Sequence, residues 1–498
     1  ARKGFPPLGA AGAAERSRGR SREIAQARVT VGARSAQPRM NIVSCAKNAL
    51  SANLDKRELL WYNTGMKSGG TIVALSSAAG RGAVSVVRMS GPDAVALLGA
   101  CFSRAERLEH AKMVLGTFDA GRVRDRVFAV AFYAPDSYTG EDVCEVHCHG
   151  SPEIVSAVIA RLTELGARPA EPGEFTRRAF EAGKMSLDEA EAVGDLINAQ
   201  SAAAIAAAYD GMRGALHKAV SGIYSALLDL AAEMTAALDY PEEDVEARTA
   251  AEALPTVRRA RKDLKDLIDS YGAGEKIRGG VRVAIVGVPN AGKSSLLNSL
   301  LGRDRAIVTA KAGTTRDTIE ESYEYKGVLF TLVDTAGVRE TTDEAEAAGV
   351  ARSAEAAKTA HIVLRVIDLS APVVLPVETC GIVIDVYNKT DIADGGGETR
   401  VSALTGRGVK ELKERIYSAA MSGGVSPGGA MLTNSRHYAL ALEADEELSH
   451  AESALEADAI DLASAAVGGA LAALGGITGA NATEDVLDGI FSRFCVGK

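Results

Sequence analysis

Along this chain of 498 residues the spacing of apolar positions changes twice. Short apolar runs at Ile72 to Leu75, Ala83 to Val87, Val127 to Phe132 and Val143 to Cys148 have strand length. They surround a helical stretch from Pro152 to Leu165, which predicts an α+β unit. From Ser186 to about Ser270 the period lengthens to that of Ala-rich helices, broken at Pro241, and a second helical block runs from Ser435 to Lys498 after a Gly-rich linker, Ser422 to Gly429. Between the blocks lie three apolar strands, Val281 to Val286, Val328 to Val333 and Ile382 to Tyr387, each ending in a polar turn. Two helical blocks flanking an α/β unit predict one helical domain carrying an inserted α/β domain. The expected division is a disordered extension over 1–65, an α+β unit over 66–184, helical parts over 185–275 and 422–498, and a P-loop domain over 276–421. Such a multidomain chain is long enough for several cores.

The polar turns carry chemistry. Gly287 to Ser294 satisfies GxxxxGK[ST] at every fixed position, between a strand and a helix opening at Ser295. In that setting Asn290, Ala291, Gly292, Lys293, Ser294 and Ser295 wrap phosphates through backbone N–H groups, Lys293 reaches the terminal ones, and the Ser294 hydroxyl is placed for Mg²⁺. Asp334, Thr335, Ala336 and Gly337 close the second strand, where such an Asp holds Mg²⁺ through water and the Gly amide meets the γ-phosphate. Asn388, Lys389, Thr390 and Asp391 end the third strand and resemble the NKxD signature, in which the carboxylate accepts from guanine's ring N–H and amino group. Ser402, Ala403 and Leu404 resemble the supporting SA[KL] motif. Gly313 to Asp317 lies where GTPases keep the threonine, here Thr315, that completes the Mg²⁺ shell. Five motifs in this order point to GTP. Val338 follows Gly337 where many small GTPases have Gln, so the attacking water must be oriented from elsewhere; the acidic stretch Asp343, Glu344 and Glu346 offers carboxylates, or is a solvated helix start.

Composition changes this picture little. Net charge is −9, so no global basic field advertises nucleic acid. The six cysteines (Cys45, Cys101, Cys144, Cys148, Cys380, Cys495) are scattered, which favours a reducing compartment. On a strand, Cys144, Val146 and Cys148 would face away from Glu145, His147 and His149, so that cluster reads as buried thiols rather than a zinc site. No run of about eighteen apolar residues stands out, and no membrane span is expected. The first forty residues hold nine basic and two acidic side chains. They suit a transit peptide for a mitochondrion or plastid, or an over-called stretch ahead of a start at Met66.

Asn290, Gly313 to Asp317, Asp334 to Arg339 and the C-terminal Cys495 to Lys498 together resemble the MnmE family, also called TrmE, of tRNA uridine modification GTPases. Thr71 to Leu75, Gly80 to Gly82, Arg88 to Gly91, Tyr138 to Asp142, His149-Gly150 and Arg168 to Phe175 agree. The likeness runs from about Gly70 to Lys498. It implies a cytoplasmic, folate- and GTP-dependent enzyme component that modifies C5 of the wobble uridine of certain tRNAs. It implies a folate-binding-like N-terminal unit in which Arg88, Glu145, Lys184 and Lys498 contact 5-formyl- or 5,10-methylene-tetrahydrofolate. It implies Cys495 at the modification chemistry, as nucleophile, acid or positioner. It implies GTP contacts from Thr309, Ala310, Lys311, Ala312, Gly313, Thr314 and Thr315, a K⁺ held by Asn290, Thr309, Lys311 and Thr314, and Glu346 orienting the water. Implied partners are a second copy, the FAD-containing MnmG (GidA) in a heterotetramer, and tRNA. The competing reading is an Era- or Der-like ribosome-assembly GTPase, which would need a KH-type module after the P-loop domain. One departure stands out: only Leu369 to Cys380, with Pro372 and Pro376, join the strand ending at Asp368 to the next, too little for a normal crossover helix.

Overall fold

A computed structural model of the chain describes residues 70–239, 249–302, 320–334, 355–421 and 429–498. The expected extension over 1–65 lies outside them.

The N-terminal unit is a six-stranded sheet in the order β3-β4-β5-β2-β1-β6. Its strands are β1 (Ile72–Leu75), β2 (Val84–Ser90), β3 (Val114–Asp119), β4 (Arg124–Phe132), β5 (Val143–His149) and β6 (Arg168–Pro169). Helices α1 (Ala94–Cys101) and α2 (Pro152–Glu164) cover one face, where Val87, Met89, Leu98, Cys144, Val146 and Leu162 are fully buried. Strand β5 divides as its alternation requires: Cys144, Val146 and Cys148 point into this core, Glu145, His147 and His149 away from it. Burial pushes the Cys144 thiol up to about 12 and raises Cys148, so both behave as small hydrophobes. Strand β2 continues past Val87 to Ser90, which brings Arg88 into register opposite Glu145. Helix α3 (Glu174–Glu181) follows.

The helical unit contains α4 (Leu187–Asn198), α5 (Ala202–Met212), α6 (Ala215–Asp239), α7 (Ala250–Gly279), α10 (Ser435–Glu456), α11 (Ile460–Thr478) and α12 (Glu484–Phe491). Leu227, Leu230, Leu264, Leu448 and Leu474 are among its buried core side chains. Helix α7 runs beyond position 275 and passes through Gly280 straight into the P-loop domain. The returning chain crosses α7 at Gly274, where a Cβ would stand 2.1 Å from the Leu432 carbonyl oxygen, and Leu432 N–H donates to Ser270 Oγ at 3.0 Å. Glycine therefore allows the two halves of the helical unit to close. The sequence expectation about membrane length needs a correction: α11, 19 residues long, is long and apolar enough to cross a membrane, with mean hydropathy 1.6 over an 18-residue window. Its small residues pack into the helical core instead, with Ala463, Val467, Ala470 and Leu474 fully buried.

The inserted unit has a five-stranded sheet, β11-β10-β7-β9-β8, parallel except for β8. It is built from β7 (Val281–Gly287), α8 (Lys293–Leu301), β8 (Glu320–Tyr325), β9 (Val328–Asp334), β10 (Ile362–Asp368), β11 (Ile382–Asn388) and α9 (Val409–Ala420). The β8–β9 turn, Lys326-Gly327 with both φ positive, suits the twist of a tight hairpin. Its tip meets the helical unit, since Ala203 N–H at the start of α5 donates to Gly327 O at 2.8 Å. No helix joins β10 to β11. The connection is an extended strap, held where Arg365 Nη1 donates to Leu375 O at 3.2 Å and Thr379 Oγ1 to Ala357 O at 2.6 Å. Val377 packs under it against Ala284, Val286, Ala360 and Val363.

Candidate functional site

Two sites lie at opposite ends of the sequence motifs. The first forms at the carboxyl ends of β7, β10 and β11, where an open parallel sheet offers a crevice for ligands. The loop after Gly287 turns through Asn290 (φ 60) and Gly292 (φ 93), and α8 begins at Lys293 with first-turn N–H groups that no helical carbonyl can satisfy. Gly287 and Gly292 are required sterically: a Cβ would lie 2.6 Å from Val366 O at the first and 2.2 Å from Asn388 Nδ2 at the second. Lys293 Nζ donates to Gly287 O at 2.9 Å and Val288 O at 3.0 Å, so it lies over the loop it belongs to. Ala291 is buried, while Ser294 and Ser295 are exposed at the loop mouth.

The third strand's motif is built into this loop. Asn388, only 2% exposed, donates through Nδ2 to Ala291 O and accepts Ala403 N–H on Oδ1. One side chain therefore ties the phosphate loop to the Ser402–Leu404 turn. Lys389 (φ 69) reaches Asp368 Oδ2 at 2.5 Å. Burial alone would raise Asp368, but hydrogen bonds from Lys389 and Ser370 outweigh it and lower its pKa. Asp391 is exposed, with Oδ1 accepting from Ser402 Oγ at 2.6 Å; Thr390 N–H donates to Val401 O, and Leu404 is exposed. Lys293, Ser294, Asn388 and Asp391 are thus brought around one crevice. Thr309, Ala310, Lys311, Ala312, Gly313, Thr314, Thr315, Thr335, Ala336, Gly337 and Glu346 lie outside the described residues, as does the Asp334 side chain.

The second site is where the C-terminus meets the N-terminal unit. Arg88 Nε and Nη2 both contact Glu145 Oε1, at 2.9 and 2.8 Å, and Glu145 Oε2 lies 3.2 Å from His147 Nε2. The guanidinium stands 5.6 Å over the Tyr138 ring and 5.9 Å over that of Phe175, cation–π contacts that fix its plane. The terminal Cys495 to Lys498 segment lies along the start of α3: Val496 bridges Pro172, and Phe175 N–H donates to Lys498 O at 3.2 Å. Gly497 (φ 95) makes this possible, because a Cβ there would sit 2.1 Å from Leu75 O; its own carbonyl accepts from Ser76 Oγ. Cys495 is exposed. Lys184 is exposed with Nζ donating to Pro135 O at 2.8 Å, its stem beside Gly140. Arg88 and Glu145 therefore lie beside Tyr138 and Phe175, the Lys498 backbone meets the start of α3, and Lys184 is held at Pro135.

Sequence reasoning missed what braces this region. Arg178, 6% exposed, donates to Glu141 Oε2 and Glu174 Oε1 at 2.9 Å each and to Gly70 O at 3.1 Å. Glu141 also accepts from Ser90 Oγ at 2.6 Å, and Arg168 forks onto Glu174. Burial would raise Glu174, but bonds from Arg168, Glu171 N–H and Arg178 together lower it. An Arg four residues after a Glu was the available signal.

Comparison with known proteins adds to this geometry. A model described as the MnmE helical domain matches residues 187–495, and one described as the GTP-binding protein TrmE N-terminus matches 71–184. The tRNA modification GTPase MnmE of Akkermansia muciniphila is 41% identical over 444 residues, covering 86% of this chain and 99% of that protein. The protein of the same name from Christiangramia forsetii is 38% identical, covering 87% and 100%. Among solved structures, the G domain of the T. maritima FeoB iron transporter is 26% identical over 28% of this chain and 98% of that one, with a TM-score of 0.21, too low to carry an argument.

Proposed function

The chain belongs to the MnmE family of tRNA modification GTPases, and on that premise we propose that it acts in GTP-driven, folate-dependent modification of C5 of the wobble uridine in tRNA. The observation that supports the folate half is the docking of Cys495 to Lys498 on the N-terminal unit, where Lys498 O accepts from the backbone N–H of Phe175, the residue whose ring lies 5.9 Å from the Arg88 guanidinium. The donor set fits a reduced folate. Glu145, whose Oε2 already lies 3.2 Å from His147 Nε2, has lone pairs left to accept from the donor edge of a pterin, and Lys184 and Lys498 offer cations to a glutamate tail. The bound folate supplies the one-carbon unit. Arg88 orients Glu145, and Cys495 acts on the transferred group or positions it.

In the nucleotide crevice the loop amides from Asn290 to Ser295 hold phosphates, Lys293 leaves its carbonyls to pair with the terminal ones, and Asp391, set by Ser402, reads guanine. Thr309 to Thr315, Asp334, Thr335, Ala336, Gly337, Thr390, Ala403 and Leu404 complete the contacts. Ser294 and Thr315 suit Mg²⁺, which neutralises phosphate charge. Asn290, Thr309, Lys311 and Thr314 suit K⁺, with Lys311 contributing its backbone carbonyl; the ion supplies the charge that an arginine finger gives elsewhere. Glu346 orients the attacking water. The working assembly is a homodimer joined with MnmG, which brings FAD, acting in the cytoplasm. Its parts are a folate-binding unit over 66–184, helical parts over 185–275 and 422–498, and a G domain over 276–421. Nucleoside analysis of tRNA from a deletion strain, with and without this chain, tests the proposal. Restored C5 modification supports it, and unmodified tRNA with restored ribosome assembly would replace it with the assembly-GTPase reading.

A further inference from the structure

The face of the N-terminal sheet turned away from α1 and α2 carries the Arg88–Glu145 pair, and toward the end of β5 it becomes basic. Strand alternation places Arg124, Arg126 and Phe128 of β4 on this face, all exposed, with Asp125 and Val127 turned inward and buried. Arg126 stands opposite Thr117, Arg124 opposite Asp119, and Phe128 opposite His147. Arg122 is exposed in the turn that joins β3 to β4. Arg81 is exposed in the loop ahead of β2, and the next residue, Gly82, donates to Gly150 O at 2.9 Å just past the end of β5. Four guanidiniums therefore share one end of the sheet in a chain whose net charge is −9.

The two carboxylates of β3 and β4 do not cancel them. Asp119 meets Arg124 at 2.9 Å in an exposed pair, which is worth little. Asp125, 9% exposed, is taken by His149, whose backbone N–H donates to Oδ2 at 2.9 Å and whose Nδ1 lies 2.6 Å from Oδ1. An ionised carboxylate only accepts, so Nδ1 carries the hydrogen and Nε2 of the exposed ring is left outward. Among the described residues no carboxylate pairs with Arg81, Arg122 or Arg126. Strands lie about 4.8 Å apart, and these three reach from the start of β2 across β5 and β4 to the β3–β4 turn, on the order of 10 Å or more. That is too wide for one carboxylate or phosphate group and suits a polyanionic backbone. Phe128, 46% exposed, lies between the arginines and Glu145, in register with the His147 that contacts Glu145. An exposed ring there is a platform for an unstacked base. At about 3.3 Å per residue, the His149 end of β5 is roughly 13 Å from Glu145.

We propose that the anticodon arm of the tRNA lies on this end of the sheet, with Arg81, Arg122 and Arg126 on phosphates flanking the wobble nucleotide and Phe128 stacking an unpaired loop base. The inference rests on the tRNA-modifying role above and names the surface that role requires. A base held beside the Arg88–Glu145 pair keeps its neighbouring phosphates within reach of the arginines, so an acidic chain gains its RNA contacts next to the one-carbon chemistry.

The test uses the full chain and a fluorescent anticodon stem-loop with an unmodified wobble uridine, titrated at several salt concentrations. Arg81→Ala, Arg122→Ala and Arg126→Ala combined should weaken binding at least tenfold and lower the slope of log affinity against log salt by about two, since each phosphate contact contributes roughly 0.7–0.9. Phe128→Ala should weaken binding roughly tenfold with the slope unchanged. Arg259→Ala, at an exposed arginine of α7, should change neither. Folate affinity, GTP turnover and the oligomeric mass in light scattering should stay as in the wild type. Wild-type affinity and slope in the triple variant, or no binding by the wild-type chain, overturns the proposal. So does a smaller oligomer, which would make this face an interface between copies, or weakened folate binding, which would make it part of the folate pocket. Failure of the tRNA-modifying role itself shows separately, as absent C5 modification in the complemented deletion strain.

Discussion

The Asn388 side-chain amide donates to the Ala291 carbonyl at 2.9 Å, joining two motifs 97 residues apart in the chain. The same side chain accepts from Ala403, so three nucleotide motifs share one buried amide. Asn388→Ala leaves the buried Ala291 carbonyl unpaired, at a cost of about 1–3 kcal/mol, and frees the half-buried Ala403 N–H. Guanine nucleotide affinity should fall by at least tenfold even though Asn388 need not touch the base. Fluorescent-nucleotide titration measures it, and unchanged affinity would mean that the phosphate loop holds its shape without this brace.

Potassium dependence follows from Asn290 at the loop tip and from Val338 where glutamine is common. GTP turnover should be fast in K⁺ and slow in Na⁺ at equal ionic strength. Equal rates in the two salts would remove the cation from the mechanism.

Glu346→Ala should lower GTP turnover by roughly 10²-fold with nucleotide affinity little changed. Normal hydrolysis by this variant would move the role to a neighbour such as Glu344, or to no carboxylate.

At the chain end, Gly497→Ala forces a Cβ against Leu75 O at a φ of 95°, so the tail should undock and 5-formyltetrahydrofolate binding should weaken along with tRNA modification. Cys495→Ser keeps the tail docked; it should retain folate affinity and lose modification. GTPase activity, housed in the inserted unit, should persist in both. Folate fluorescence titration and tRNA nucleoside analysis separate the two variants, and full modification by Cys495→Ser would make the thiol dispensable.

Acid stability should report the Glu191 cluster. Burial by itself would raise this carboxyl, but hydrogen bonds and charges from His437 and Arg436 outweigh it and hold the pKa at about 2 against an ordinary 4.5. A depressed pKa stabilises the fold above the unfolded value and is lost as pH falls through the folded one, so the contribution, on the order of 3 kcal/mol, should disappear between about pH 5 and pH 2. Urea midpoints followed by circular dichroism should fall over that window in the wild type. Glu191→Gln should be destabilised at pH 7 and show a flatter profile, and parallel profiles would place the acid sensitivity elsewhere.

Much of the nucleotide site was legible in the sequence because its chemistry is local. A strand, a glycine loop and a helix start lie within about twenty residues, and the alternation along β5 alone sorted buried thiols from outward Glu145. The missing crossover helix was legible too, since twelve residues with two prolines cannot form one. Sequence patterning likewise separated two helical blocks from an inserted α/β unit.

Contacts between distant segments were decided only in three dimensions. Nothing near Asn388 in the chain announces its bond to Ala291, and no periodicity pairs Arg178 with Glu141 or Glu191 with His437. The apolar run of α11 has a composition equally suited to lipid or to a protein core, and only packing against its neighbours selects the core. Local pattern fixes backbone conformation through torsion and hydrophobic period, whereas a buried charge finds its partner only when separate elements have closed around it. Asp188 reads in sequence as an ordinary first-turn acid of a helix, and only the closed helical unit buries it and sets it 3.6 Å from His217 Nδ1 on α6.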